Sequence, residues 1–96
     1  MSEVSAVAIS LAKPGHEDQL ANALEGLLEP THKEVGVLQY EMFRDMRKPR
    51  CFVFIERWES EETFNAHCNS LHVLAYLEKV ADWFEDNTLH VLKKGK

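Results

Sequence analysis

Cysteine is scarce in this chain: among its 96 residues only Cys51 and Cys68 occur, and neither falls in a CxxC or zinc-type spacing. A disulfide framework and a cysteine-bound zinc therefore have no basis, and both thiols read as reduced and buried. Long apolar runs are missing too. No stretch approaches the ~20 residues that a membrane-spanning helix needs. The opening MSEVSAVAIS lacks a cationic start followed by a long apolar segment, so no signal peptide is expected and the expected location is cytoplasmic. A basic stripe is also absent. The formal net charge is −5, and the cations gather only at Arg44, Arg47, Lys48 and Arg50 and at Lys93, Lys94 and Lys96. That distribution excludes a phosphate-backbone footprint, so nucleic acid is not an expected partner, nor is a membrane. Without GxGxxG, a P-loop or GxSxG, nucleotide binding and serine hydrolysis have no support.

What is present is an ordinary globular composition, 45% hydrophobic and 28% charged, with no linker and no low-complexity tract. One domain over residues 1–96 with a modest core is expected. VSAVAISLA (4–12) has strand character and ends at Pro14-Gly15. From Glu17 to Glu29, Leu20, Leu24, Leu27 and Leu28 recur at helical spacing. Gly36 marks the passage into VLQYEMFRD (37–45), which a charged turn containing Pro49 joins to CFVFIERW (51–58). Ser60 suits a helix N-cap, with Glu61 and Glu62 in the first turn, and Ser70 suits a second cap, so the second helix is expected to be broken near Cys68–Ser70. The helix from Ser70 is expected to run through Asp86, close at Asn87, and give way to a short strand, TLHVLKK (88–94). The order β-α-β-β-α-β is that of an α+β, ferredoxin-like fold: an antiparallel sheet with helices on one face.

Period-two alternation sorts the central strands. Phe52, Phe54, Glu56 and Trp58 share one face, and Cys51, Val53, Ile55 and Arg57 the other; Leu38, Tyr40 and Met42 oppose Val37, Gln39 and Phe43. Both faces are substantially apolar, whereas a sheet covered on one side only carries a polar outer face. No chain segment is left over to cover the second face. A two-fold homodimer packing sheet on sheet is the economical expectation.

Chemistry concentrates in ERWESEETFNAHCNSLHVLAY (56–76). On a continuous helix from Leu71 to Asp86 the core stripe is Leu74, Leu77, Ala81 and Phe84. His72, Tyr76 and Trp83 then lie within about 40° of one another as a second, polar-tipped stripe. Such side chains suit a small-molecule pocket, and equally suit plain cover for the sheet edge or a dimer seam. Glu56 stands among Phe52, Phe54 and Trp58, where a bare carboxylate is costly and needs a partner. His67 or His72 is a candidate partner, and a half-buried Glu–His pair is a serviceable proton acceptor. The plainer alternative is that Glu56 accepts backbone N–H groups at a helix turn. On an unbroken helix His67 and His72 diverge by about 140°, so they share no ligand face, and no metal site is expected.

Taken together, Lys13-Pro14-Gly15, then Glu34, Gly36 and Tyr40 entering the second strand, Glu56 and Trp58 ending the third, and His67 and His72 beyond it resemble the antibiotic biosynthesis monooxygenase (ABM) family. The resemblance runs over roughly residues 4–93. It implies a ferredoxin-like homodimer with back-to-back sheets, a dimeric α/β-barrel, and a pocket between sheet and helices. Members include oxygenases of quinols or aromatic polyketides that use no metal, flavin or haem, haem-degrading proteins, and an isomerase of a small sugar phosphate. The haem-degrading branch carries a Trp where this chain has His67, a ligand His near Leu77, and an Asn on the first strand; none of these is here. The resemblance thus implies cofactor-free oxygenation of a small quinol-like or phenolic aromatic by dioxygen. His67, His72 and Glu56 would carry the proton chemistry, and Tyr76, Trp58, Phe54 and Trp83 would bind substrate. A non-catalytic, dimeric small-ligand-binding module and an isomerase of a small carbonyl metabolite are the alternatives.

Overall fold

The structure is a computed structural model that describes residues 2–95. Strand β1 (Val4–Ala12) leads to α1 (Glu17–Glu25) and α2 (Leu28–His32). Next come β2 (Val37–Arg44), β3 (Cys51–Trp58), α3 (Glu61–Cys68), α4 (Leu71–Val80), a 3-10 turn (Ala81–Trp83) and β4 (Phe84–Leu92). The four strands form one antiparallel sheet in the order β2-β3-β1-β4, so the two strands that end helical crossovers flank the central pair. The helices cover one face, and the ferredoxin-like arrangement expected from the element order is the one observed. Among the described residues no helix is long and apolar enough to cross a membrane.

The core lies between the sheet's Ala6, Phe52, Phe54, Trp58 and Tyr40 and the helical Leu20, Leu24, Phe64 and Val80, with Leu27 from the turn between α1 and α2. Burying an aliphatic or phenyl side chain of this kind contributes roughly 1.5–3 kcal/mol. The alternation in β3 holds as expected: Phe52, Phe54, Glu56 and Trp58 are buried beneath the helices. In β2 it does not hold throughout. The register against β3 shifts between Val37 and Gln39, so Val37 stands opposite Trp58 and packs on the core while Leu38 is exposed. One extra residue at a bulge reverses the face of everything before it.

Two helical expectations also change. The leucine periodicity over Glu17–Glu29 is cut at Gly26–Leu27, because Pro30 offers no N–H and its ring excludes the carbonyl of Gly26 from an unbroken helix. Leu27 N–H turns instead to the Leu24 carbonyl, and Pro30 is tolerated in the first turn of the short α2. At the other end α4 stops at Val80, not Asp86. Residues from Phe84 onward form β4, with Asp86 opposite Leu11 and Asn87 opposite Ser10. Pairing along the whole free edge of β1 outweighs the local helical pattern. The inward face of α4 is accordingly Val73, Tyr76 and Val80. Leu74 and Leu77, expected in the core, are partly exposed at 48% and 40%, and Ala81 is exposed.

Caps and turns fix where the helices enter. Ser60 is an N-cap as expected: its hydroxyl accepts from Thr63 N–H while Thr63 Oγ1 accepts from Ser60 N–H, a reciprocal pair. Gly36 has φ +86°, and a Cβ there would fall 2.5 Å from the Thr63 side chain. The turn into β2 therefore needs glycine both for its backbone and for its contact with α3. Its carbonyl accepts Glu59 N–H at 2.8 Å, joining this turn to the start of α3.

The opposite face of the sheet carries Val7, Ile9, Leu11, Val53, Ile55 and Phe43, with Ile55 38% and Phe43 46% exposed. No described segment of the chain packs over it.

Candidate active site

The break between α3 and α4 organises the polar cluster. Ser70 N–H and Ser70 Oγ both donate to the His67 carbonyl, at 3.0 and 2.6 Å, which closes α3 and redirects the chain into α4. His67 in the last turn of α3 and His72 in the first turn of α4 are thereby brought to face each other, ring centroids 6.0 Å apart. The divergence of about 140° expected for an unbroken helix does not occur, because the helix axis changes between the two residues.

Between them stands Glu34, on the turn that precedes β2. Its Oε2 lies 2.6 Å from His67 Nδ1 and 3.2 Å from His72 Nε2. Thr31, fully buried on α2, is 3.1 Å from the same His72 nitrogen. The partner of His67 is thus Glu34 and not Glu56. Glu56 instead accepts the indole N–H of Trp58 at 2.9 Å, and its Oε1 stays 3.9 Å from His67 Nε2, beyond hydrogen-bond range. Neither bare alternative raised for Glu56 describes it: it accepts from a side chain two residues along its own strand.

The surroundings set the proton affinities. Burial lowers the His67 pKa, against the opposing hydrogen bond and charge of Glu34, so the ring is held neutral at neutral pH. Burial raises Glu56 to about 7, with the Trp58 N–H acting against the shift and the Glu34 charge adding to it. Burial likewise pushes up the phenols of Tyr40 and Tyr76 and the thiol of Cys68. The Nδ1–H of His67 donates to the Glu34 carboxylate, which leaves the Nε2 lone pair free on the side of Glu56.

A cavity of about 240 Å³ opens on this side, between sheet and helices. Glu56, His67, Tyr40, Phe54, Phe64 and Tyr76 line it, and Ser10, whose hydroxyl donates to Asn87 at 3.1 Å, lies in its wall. The Tyr76 hydroxyl is buried near the Ser10 side chain and, among the described residues, makes no hydrogen bond of ordinary geometry. Of the residues singled out from sequence, the fold brings His67, Glu56, Phe54 and Tyr76 to this one cavity. His72 stands behind His67 and lines a neighbouring depression with Tyr76. Trp58 is fully buried and packs its ring on His67, centroids 4.7 Å apart, so it supports the site without lining the cavity. Trp83 falls in the 3-10 turn and does not line it; with α4 ending at Val80 it has left the His72–Tyr76 stripe. Glu34 was missed as a functional group. It stood among the motif residues of the family resemblance without a role, because a loop acid two residues before a turn glycine gives no sign of which helix end it will meet.

The sequence model of the family described as antibiotic biosynthesis monooxygenase matches residues 4–79, about four-fifths of the chain. The chain belongs to that family. Solved structures agree. PA3566 of Pseudomonas aeruginosa superposes with a TM-score of 0.93 at 25% identity, covering 100% of this chain and 97% of that one. A structure described as an antibiotic biosynthesis monooxygenase gives 0.90 at 26% identity, over 97% of this chain and 99% of the other. SO0527 of Shewanella oneidensis gives 0.91 at 26%, over 95% and 89%. In this ABM-family chain Glu34, Tyr40, Glu56, Trp58, His67 and His72, scattered over 39 positions of sequence, meet around one imidazole: Tyr40, Trp58 and His72 rings all approach His67 within 6.0 Å.

Proposed function

We propose that this protein oxygenates a small phenolic or quinol-like aromatic with dioxygen directly, using its own side chains in place of a flavin or haem. The observation that carries the reading is the 2.6 Å bond between Glu34 and a buried, neutral His67 whose other nitrogen faces an aromatic-lined cavity. An electron-rich phenol bound there gives its proton to His67 Nε2, and the Glu34 carboxylate stabilises the imidazolium that results. The phenolate passes an electron to dioxygen, the two radicals join at a ring carbon, and loss of water leaves the quinone. For a naphthol the balance is ArOH plus O₂ giving quinone plus H₂O. The Tyr76 hydroxyl, lacking a partner, is positioned to donate to a substrate oxygen.

At about 240 Å³ the cavity lies below the ~300–1,000 Å³ typical of drug-sized ligands, which favours one- or two-ring substrates over four-ring polyketides. Among the described residues no lysine or arginine lines it, so an isomerase of a phosphorylated carbonyl metabolite would lack its anion anchor. The apolar outer sheet face supports a homodimer built back to back. Oxygen-electrode assays with 1-naphthol and menadiol, with a chelator present, test the proposal. Uptake above the autoxidation blank with ¹⁸O₂ label in the product is the expected result. Saturable binding without oxygen uptake would assign the protein to the non-catalytic ligand-binding class instead.

A further inference from the structure

We propose that Glu34, His67 and His72 form a binding site for a divalent transition-metal ion of the zinc, cobalt or iron(II) type. Three separate elements supply the donors: the turn before β2, the end of α3 and the start of α4. Glu34 Oε2, His67 Nδ1 and His72 Nε2 all lie within 4.8 Å of one another, and the two contacts to the carboxylate are 2.6 and 3.2 Å. Two imidazoles and a carboxylate are the donor set of many catalytic zinc and non-haem iron sites, which leave further positions open to water or ligand. An ion about 2.0–2.2 Å from each donor would need the His67–Glu34 contact to open by under about 1 Å. The Thr31 hydroxyl, 3.1 Å from His72 Nε2, would turn away to free that lone pair.

The surroundings supply an independent observation. Ligand histidines almost always donate their second N–H to a carboxylate or carbonyl. Glu56, buried and held by the Trp58 N–H, places Oε1 3.9 Å from the second nitrogen of His67. With the His67 proton on Nδ1, the ring offers no N–H towards Glu56 across that gap. An ion on Nδ1 displaces the proton shared with Glu34. The one remaining ring proton then sits on Nε2, on the side of Glu56, whose Oε1 would close from 3.9 Å to accept it. Two carboxylates also offset the charge of a divalent ion in a half-buried place. The ring tautomer that completes this arrangement is the opposite of the one the oxygenation chemistry uses. An occupied site would therefore remove the base and inhibit that reaction; this consequence, unlike the site itself, rests on the proposed function.

Cobalt(II) titration of chelator-stripped, dialysed protein tests the site, read by visible d–d absorption and by isothermal calorimetry with no aromatic substrate present. One ion per chain is expected, displaced by zinc. Glu34→Gln and His72→Ala should each weaken binding at least tenfold. Glu56→Gln should keep the stoichiometry and weaken binding by about 10–100-fold. His90→Ala, altering an exposed histidine of β4, should change nothing. Circular dichroism of each variant confirms that it is folded; His72 and Glu34 are less buried than His67, so the test does not depend on replacing the core imidazole. Wild-type protein with no saturable cobalt absorption would overturn the proposal, as would binding that Glu34→Gln and His72→Ala leave unchanged. Because no substrate is added, this failure is distinct from an absence of oxygen uptake.

Discussion

Replacing Trp58 with phenylalanine separates the indole's packing from its hydrogen bond. Trp58 is 0% exposed and touches His67 and Phe64, and among the described residues its N–H makes the only hydrogen bond to the Glu56 carboxyl. Shrinking the ring costs roughly 1–2 kcal/mol, the scale of one or two buried methylene groups. Stranding a buried acceptor adds about 1–3 kcal/mol, towards the upper end for a carboxylate. Trp58→Phe should therefore lose about 2–5 kcal/mol. Glu56→Met alone strands the indole N–H and carries a similar penalty of about 1–3 kcal/mol. The double variant Trp58→Phe/Glu56→Met strands nothing and bears chiefly the packing loss. It should be more stable than the sum of the single changes by the two stranding penalties together, about 2–6 kcal/mol. Urea unfolding followed by far-UV circular dichroism, at one protein concentration for all four proteins, measures the cycle. Additivity within about 0.5 kcal/mol would mean that the Trp58–Glu56 bond contributes nothing and that the reasoning about the buried carboxyl is wrong.

Three further outcomes are expected. Gly36→Ala forces a side chain into a left-handed backbone and against Thr63, so stability should fall by about 2 kcal/mol or more, seen as a clear drop in Tm. Tyr76→Phe removes a buried hydroxyl that has no partner and should leave the fold as stable or up to about 1 kcal/mol more stable. The same change should raise KM for a phenolic substrate, and a loss of stability with unchanged KM would show the hydroxyl to be structural. Glu34→Gln keeps a hydrogen-bond acceptor but not the charge that stabilises a protonated His67; oxygen uptake should fall at least tenfold with the circular dichroism spectrum intact, and an unchanged kcat would remove Glu34 from the chemistry.

The legible parts of this fold were those set by neighbours in sequence. Period-two alternation put Phe52, Phe54, Glu56 and Trp58 on one face, and the Ser60 cap was visible from its own residue type and the acids after it. Local pattern misled where a distant strand competed. The helix periodicity through Asp86 yielded to β4, because those residues gain ladder hydrogen bonds with β1 that no local signal announces. The bulge at Leu38 escaped for the same reason: which residue of a strand goes unpaired depends on the partner's register.

By itself, then, the sequence determined the element order, the buried face of β3 and the residue types gathered at the site, since these follow from side-chain chemistry and short-range periodicity. Only the tertiary structure decided which of those residues meet. The break near Cys68–Ser70 was legible from the Ser70 cap, but that it turns His67 and His72 toward each other, and that a loop 33 positions away in sequence brings Glu34 between them, was not. Hydrogen bonds of that kind depend on chain segments closing over one another, and no window of sequence contains both ends.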